Sequence, residues 1–232
     1  MAKTLSPDEV RDHYVAAMSS PLGEAFTALY HNTAWLYSKW HSYRALFDDK
    51  DTVELLNATA GRFFRDLQLW LEEGIFLHLC RLTDPPQSAG NDNLSLRALP
   101  GLLPSTVDTS FQISLIAAIE DAVAKTGFAR TWRNKLLAHT ALPAAAGGKP
   151  FVIPDVKRAD IVAAIDAVGA AMNCVESHYI GGEIGWDVSL SDPLSVRSLL
   201  LYLVVPEKWF VVGAVVFFKF ALVRSERASA ST

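Results

Sequence analysis

Residues 21–47 read PLGEAFTALYHNTAWLYSKWHSYRALF, and this stretch decides the fold class. Its large apolar residues recur at spacings of seven, four, three and four, which places them on one face of an α-helix. These residues are Leu29, Leu36, Trp40, Tyr43 and Phe47. Ser20 followed by Pro21 is a typical helix start, because proline is favoured in the first helical turn. We therefore predict one long amphipathic helix that ends near Phe47.

A second long helix is predicted over residues 52–83, after a polar break at residues 48–51. Thr52 is placed to cap its start, since threonine is a favoured N-cap residue. Apolar residues again form one stripe, together with one histidine: Phe64, Leu67, Leu71, Ile75, His78 and Leu82. On this stripe we interpret His78 as a hydrogen-bonded core histidine rather than a ligand.

The second helix must end at the sequence Asp84-Pro85-Pro86. Proline cannot continue a helix, and it restricts the residue before it. Arg81 and Asp84 lie at this helix end, where capping and loop anchoring explain both of them without a substrate. We therefore predict a structural role for Arg81 and Asp84.

The remainder of the chain also has helical patterning, and strand-like alternation is nearly absent. Ser6-Pro7-Asp8-Glu9 combines an N-cap, a first-turn proline and a capping-box glutamate. The fold is therefore predicted to be all-α, with two long antiparallel helices and shorter helices packed on them. We expect three parts: an N-terminal helix over 1–19, a helical domain over 20–180, and a C-terminal extension over 181–232 with an apolar helix and a frayed tail.

Composition narrows the class of protein. The chain has 232 residues, of which 50% are hydrophobic and 20% are charged, so it is not an intrinsically disordered protein. Its formal net charge is −4, so the protein is not basic overall. Any contact with nucleic acid must therefore come from a local basic patch. The N-terminus lacks the apolar core of a secretory signal, and Cys80 and Cys174 are expected to be reduced core thiols. These features predict a cytoplasmic protein.

Residues 209–223 are apolar apart from Lys219 and raise the question of a membrane. They number 15, whereas a spanning helix needs about 20 residues. A helix that is buried in the protein or covered by a partner is the favoured interpretation, and membrane association is the alternative.

The sequence lacks the standard motifs of metal and nucleotide sites. Neither cysteine lies in a C-x-x-C pair, which excludes a cysteine-rich zinc site. Gly147-Gly148-Lys149 has no upstream glycine at the P-loop spacing and is followed by Pro150, which indicates a loop. We therefore expect no metal and no cofactor.

The densest group of basic residues lies in the sequence RTWRNKLLAH, which begins at Arg130 and ends at His139. Arg130, Arg133 and Lys135 place three cations within six residues, and Asn134 and His139 add polar groups. An arginine can pair with two phosphate oxygens and stabilise the charge that grows on them. A histidine titrates near neutrality and can move a proton to or from a ribose hydroxyl. This set of residues indicates phosphoryl chemistry without a metal.

The geometry of a single helix does not bring the two ends of this motif together. On an ideal α-helix, Arg133 and His139 are about 120° apart. The arginine can curl back, the helix can unwind before His139, or two copies of the motif can meet across a dimer. The competing interpretation is a helix end whose cations simply suit the helix dipole.

Arg133-Asn134 followed by His139 matches the R-x(4–6)-H signature of HEPN-domain ribonucleases, in which a polar residue follows the arginine. More specifically, the chain resembles the AbiU-like HEPN family of bacterial abortive infection. The matching landmarks occur in order: WHSYRALF at 40–47, LLN at 55–57 with FF at 63–64, RLTDP at 81–85, NLSL at 93–96 and WRNKLLAH at 132–139.

The resemblance implies an all-α HEPN-like bundle that forms a homodimer, with the motif in the cleft between subunits. It also implies metal-independent RNA cleavage, in which a 2′-hydroxyl attacks the adjacent phosphate and leaves a cyclic phosphate. Arg133 would hold the phosphate, His139 would be the general acid and base, and Asn134 would orient them. Arg130 and Lys135, the neighbouring cations, would bind the substrate.

Partners follow from the same resemblance: RNA, a second copy, and a cognate antitoxin or other partner of a bacterial defence or toxin–antitoxin system. The family also contains members with no demonstrated activity. The alternative is therefore a non-catalytic HEPN-fold interaction or antitoxin-like module, for which membrane association through residues 209–223 stays open.

Overall fold

The computed structural model describes residues 6–88, 90–134, 155–186 and 196–204. Within these ranges the helices are α1 (Pro7–Met18), α2 (Ser20–Phe47), α3 (Lys50–Thr83), α4 (Leu99–Leu102), α5 (Thr109–Lys125), α6 (Gly127–Trp132), α7 (Arg158–Tyr179) and α8 (Val196–Val204). A 3₁₀ turn covers Leu96–Ala98, and the only sheet there is a hairpin of two-residue strands, β1 (Gln87–Ser88) and β2 (Asn91–Asp92). The prediction of an all-α, HEPN-like bundle is confirmed.

Side-chain caps fix where several helices begin. The predicted capping box of α1 is present, because Ser6 Oγ accepts a hydrogen bond from the Glu9 N–H and the Glu9 carboxylate accepts one from the Ser6 N–H. The prediction that Thr52 caps the second long helix is wrong. The α3 helix begins at Lys50, and it is the Asp49 carboxylate that accepts from the Thr52 N–H at 2.8 Å.

The described residues fall in two compact units, one within Met1–Tyr43 and Asp66–Ser189 and the other within Arg44–Arg65 and Leu190–Thr232. This division passes through both long helices, since α2 and α3 each contribute to both units. The three parts expected from the sequence, 1–19, 20–180 and 181–232, stay a prediction.

In the first unit, α2 and α3 run antiparallel as predicted. Lys39 Nζ on α2 donates to the Gly74 carbonyl on α3 at 3.3 Å, and Tyr43 Oη donates to Glu72 Oε1 at 2.8 Å. Residue numbers therefore rise along α2 as they fall along α3.

Leu29 and Leu36 of the predicted α2 stripe and Ile75 of the α3 stripe are fully buried, and burial of each such side chain contributes about 1.5–3 kcal/mol. Leu67 and Leu71 of the α3 stripe are half-buried. Fully buried residues outside the predicted stripes include Leu22, Phe26 and Leu79.

A second layer is formed by α5 and α7, which pack closely along their length. Phe111 at the start of α5 stacks on His178 at the end of α7, with ring centroids 3.8 Å apart, so these helices are also antiparallel. The α7 helix is joined to α2 through Trp186. Its indole N–H donates to the Gly169 carbonyl at 3.3 Å, and its ring stacks on Tyr37 at 5.5 Å.

The short helix α6 is held against the end of α3, and this packing positions the residues that follow it. Phe76 on α3 makes edge-on contacts with Phe128 and Trp132 on α6, at centroid distances of 5.4 and 5.5 Å. The hydroxyls of Thr83 and Thr126 are 3.0 Å apart in the buried region between α3 and the start of α6. The chain therefore leaves α6 beside the C-terminal end of α3.

The second unit contains the tips of the two long helices and α8. Leu46, Leu56 and Phe64 are buried, and Arg44 Nε pairs with Asp48 Oδ2 at 3.1 Å. Helical geometry is interrupted within α3 at Ala60, where φ is −156° and ψ is 59°. The sequence-based prediction of one uninterrupted helix did not include this kink.

Across the ranges that the structure describes, no helix combines the length and apolar character needed to cross a bilayer. Residues 209–223, for which an apolar helix was predicted, lie outside those ranges.

Replacing Gly23 with alanine is expected to destabilise the protein by about 1–3 kcal/mol, because the added Cβ overpacks a close helix contact. It would lie 2.6 Å from Val15 Cα and 2.7 Å from the Tyr14 carbonyl oxygen, both in the backbone of α1. Gly101→Ala is the control, since a Cβ there meets no atom within 4 Å. Chemical denaturation of both variants measures the difference, and equal stabilities would contradict this account of the α1–α2 contact.

Candidate functional site

The predicted motif begins immediately after α6. At Arg133 and Asn134 the chain takes a wider, π-helical winding, which is rare in proteins and frequent at functional sites. The angle of about 120° between Arg133 and His139 assumed an ideal α-helix. The helix departs from that geometry at the first residue of the motif.

The guanidinium of Arg133 is held by two side chains. Its Nη1 pairs with Asp84 Oδ2 at 2.5 Å, and its Nε donates to Asn134 Oδ1 at 3.1 Å. The side chains of Arg133 and Asp84 are 27% and 22% exposed, so the pair is largely shielded from water. Nη2 makes no hydrogen bond to any residue in the described ranges. The plane of the guanidinium is therefore fixed, and one of its terminal nitrogens remains available to a ligand.

Asp84 contacts the predicted catalytic arginine, a pairing that the sequence-based interpretation did not predict. Its carboxylate accepts from Arg133, 49 residues away in the chain. The prediction that Arg81 and Asp84 are structural rather than catalytic stays a prediction. Asp84 Oδ1 is buried and has no hydrogen-bond partner among the described residues. The sequence held one signal for Asp84, since this residue lies in the RLTDP landmark at 81–85. The landmark does not indicate that Arg133 is its partner.

Arg130, predicted to bind substrate, is engaged by the protein. Its Nη1 donates to Thr83 Oγ1 at 2.9 Å, and its Nη2 donates to the Val123 carbonyl. These bonds tie α6 to the ends of α3 and α5. A direct contact between Arg130 and a substrate stays a prediction.

The structure brings Arg133, Asn134 and Asp84 together, and it places Asn134 at the surface. Lys135 and His139 lie outside the described ranges. Their predicted roles, and the relation of His139 to Arg133, stay predictions.

Arg133 also lines a cavity of about 300 Å³, here called the cationic pocket. The other lining residues are Lys39, Gly74, Leu77, His78 and Arg81. The prediction of a hydrogen-bonded core histidine is confirmed, because His78 is 5% exposed and Lys39 Nζ lies 3.3 Å from its Nδ1. The sequence did not predict that this histidine borders a cavity with three cationic side chains.

Burial and nearby positive charge lower the pKa values of two residues that line the cationic pocket, Lys39 on α2 and His78 on α3. Burial first, and then the charges of Lys39 and Arg81, together lower the pKa of His78 to about 4. Burial, followed by the charge of Arg81, lowers the pKa of Lys39 from its usual 10.5. At neutral pH the imidazole of His78 is therefore uncharged.

The stability of the protein is expected to fall as the pH drops from about 6.5 to about 4, through a contribution from His78. In this window an unfolded His78 binds a proton and the folded one does not, so acid favours unfolding. The groups that face it are Lys39 on α2, Arg81 on α3 and Arg133 after α6. His78→Gln should reduce the dependence of the melting temperature on pH across this window. The same dependence in both proteins would contradict the assignment.

Both cysteines are free, as predicted, with Cys80 buried and Cys174 half-buried. The pKa of the Cys80 thiol is raised to about 11, and burial is the largest cause of this shift. The thiol is therefore neutral at physiological pH and is an unreactive core group beside the site.

The all-α bundle, with an arginine and a polar residue after a short helix packed on two long ones, defines a HEPN-type protein. The HEPN_AbiU2 family model (AbiU2) matches residues 19–193, which is most of the chain. The chain therefore belongs to the AbiU2 HEPN family, and the resemblance stated from the sequence is confirmed. No curated protein matches the chain, and no solved structure matches it.

Proposed function

We propose that this HEPN-type abortive-infection protein is a metal-independent endoribonuclease. The observation that carries the proposal is the fixed guanidinium of Arg133, which occupies the arginine position of the R-x(4–6)-H signature and whose Nη2 has no partner among the described residues. A planar donor group held in advance of substrate binding is well suited to a phosphate, because no reorganisation is needed as charge develops.

Arg133 has two tasks in this reaction. Its free N–H groups bind the non-bridging oxygens of the scissile phosphate and stabilise the extra negative charge of the transition state. Asp84 and Asn134 keep the guanidinium plane in one orientation, so they are positioning residues. The carboxylate also offsets the charge of Arg133 before RNA binds.

His139 moves the protons. The 2′-oxygen forms a bond to phosphorus while the 2′-hydroxyl proton passes to an imidazole. The bond between phosphorus and the 5′-oxygen breaks, and that oxygen receives a proton from an imidazolium. Atoms and charge balance without a metal or co-reactant. One His139 can play both parts, since the imidazole that accepts the 2′-hydroxyl proton becomes the imidazolium that protonates the 5′-oxygen.

We assign substrate contact beyond Arg133 to Lys135 before Arg130. Both terminal nitrogens of Arg130 already donate to the protein, so its contribution would be to hold α6 in place. Lys135 adds one positive charge to the motif and would attract the RNA backbone without reading its sequence.

The proposed assembly is a homodimer in the cytoplasm, with a cognate antitoxin or defence partner as a further binding protein. Exposed aromatic residues support a partner surface: Trp35 on α2 is 65% exposed and Trp70 on α3 is 58% exposed. A stable interface would bury on the order of 1,200–2,000 Å² in total. Membrane association through residues 209–223 is the less favoured alternative.

A second candidate function is a non-catalytic interaction or antitoxin-like module. The observation in its favour is the ion pair itself, since Asp84 neutralises Arg133 and could serve only to stabilise the bundle. In that case the protein would bind its partner and leave RNA intact.

The two candidates are separated by incubating the purified full-length chain with tRNA and with mRNA in excess EDTA. The nuclease proposal predicts cleavage at the same rate with and without the chelator. Intact RNA in both conditions would favour the interaction module, and cleavage that EDTA abolishes would contradict the metal-independent mechanism.

A further inference from the structure

The cationic pocket collects positive charge from three separate elements. Lys39 comes from α2, Arg81 from the last turn of α3, and Arg133 from the segment after α6. Only Arg133 of these three has an ion-pair partner within the described ranges. Asp84 offsets the charge of Arg133, whereas Lys39 and Arg81 repel each other strongly enough for Arg81 to lower the pKa of Lys39. A bound anion would relieve this repulsion.

His78 forms a neutral part of the same pocket wall. A lysine ammonium can only donate, so Nδ1 of His78 accepts the hydrogen bond from Lys39 and its hydrogen lies on Nε2. That Nε2 is closed to solvent, so an anion in the pocket would act on His78 through its charge and through Lys39 rather than by accepting from Nε2.

We propose that the cationic pocket binds a backbone phosphate of the RNA strand next to the phosphate that is cleaved. The proposal rests on the nuclease function proposed above and adds a subsite to it. Arg133 belongs to both the pocket and the proposed cleavage site, because it lines the pocket and is also the arginine of the motif. Lys39 and Arg81 supply the charge, and the neutral imidazole of His78 completes this part of the wall.

The chemistry of the walls favours a phosphate over a base. Pockets that hold bases of single-stranded nucleic acid use aromatic platforms for stacking. Among the described residues that line this pocket, the only ring is the neutral imidazole of His78. Its volume of about 300 Å³ lies at the lower end of the range for ligand pockets. A subsite of this kind would add affinity for any RNA sequence, since phosphate contacts carry no sequence information.

Arg81→Gln tests the subsite, with Arg97→Gln as the matched control. Arg97 is an exposed arginine on the 3₁₀ turn that makes no ion pair within the described ranges. The probe is a short 2′-O-methyl RNA oligonucleotide, which binds but cannot undergo 2′-hydroxyl attack. Loss of Arg81 should weaken binding roughly tenfold and reduce the slope of log affinity against log salt by about 0.7, whereas Arg97→Gln should change neither. Equal affinities and slopes for the two variants would overturn the proposal.

A measurement on the wild-type protein tests the subsite even if the Arg81→Gln variant fails to fold. Saturation with the oligonucleotide should raise the pKa of His78, because a nearby anion favours the charged form. NMR of the His78 imidazole as a function of pH measures this pKa. An unchanged His78 titration would overturn the proposal. A response to inorganic phosphate alone, with no response to the oligonucleotide, would identify a free-anion pocket and would also overturn the RNA subsite.

Because the oligonucleotide can bind without being cleaved, the subsite proposal and the nuclease proposal can be tested separately. If the protein binds the oligonucleotide in an Arg81-dependent way but leaves natural RNA intact, the subsite stands and the nuclease proposal fails. If it cleaves RNA while Arg81→Gln binds like Arg97→Gln, the nuclease stands and the subsite fails. Failure of the wild-type chain to bind the oligonucleotide would overturn the subsite.

Discussion

Replacing His139 with alanine is expected to slow RNA cleavage by roughly 10²–10⁴-fold, because a positioned general acid and base contributes about that much to a reaction rate. His13→Ala is the control, since His13 is an exposed histidine on α1. Single-turnover cleavage rates in EDTA measure the effect, and circular dichroism checks that both variants are folded. A His139→Ala rate within a few fold of the control would contradict the assigned role.

Replacing Arg133 is also expected to slow cleavage, but this replacement tests two things at once. Arg133→Gln removes the phosphate-binding guanidinium and leaves the Asp84 carboxylate without its ion-pair partner. We expect a loss of on the order of 10²–10³-fold in rate. Because a shielded carboxylate is left unpaired, a loss of about 1–3 kcal/mol in stability is also expected. Arg133→Lys should not rescue cleavage, because an ammonium cannot reproduce the planar fork that meets Asp84, Asn134 and a phosphate together.

Mixing an Arg133→Gln chain with a His139→Ala chain is expected to restore cleavage that neither variant has alone. In a two-fold dimer whose clefts each take Arg133 from one subunit and His139 from the other, a mixed dimer has one cleft with both residues intact. With random exchange about half of the dimers are mixed, so about a quarter of the wild-type activity should return.

The controls for the mixed dimer are each variant alone and a mixture prepared without subunit exchange, all of which should stay inactive. Light scattering confirms the dimer in every sample. No recovery in verified mixed dimers would place both residues of a site in one subunit. A stable monomer with full activity would contradict the composite cleft altogether.

The elements that the sequence predicted are those with local signals. The stripe from Leu29 to Phe47 defines α2, and the capping box at Ser6 and Glu9 starts α1 within a few residues of where the structure has it. The kink at Ala60 is followed directly by Gly61, a residue that is unfavourable within a helix, but the periodicity of the apolar stripe did not include it. A periodicity reports which residues share a face and not where the backbone leaves helical geometry.

The site shows the same limit more sharply. Arg130 and Arg133 are three residues apart and look equivalent in the sequence, yet one is bonded to Thr83 and the other to Asp84. The partners that decide their roles lie 47 and 49 residues away. A spacing rule can identify the motif, but only the packing of α6 against α3 determines which partner each arginine has within the described residues.

The ends of the RNA fragments test the central claim most directly. Cleavage by 2′-hydroxyl attack, with Arg133 on the phosphate and His139 moving the protons, must leave a 2′,3′-cyclic phosphate on the upstream fragment and a 5′-hydroxyl on the downstream fragment. Mass spectrometry of a short RNA cut by the wild-type chain in EDTA identifies both ends. The account predicts those two ends, and fragments with a 3′-hydroxyl and a 5′-phosphate would contradict it.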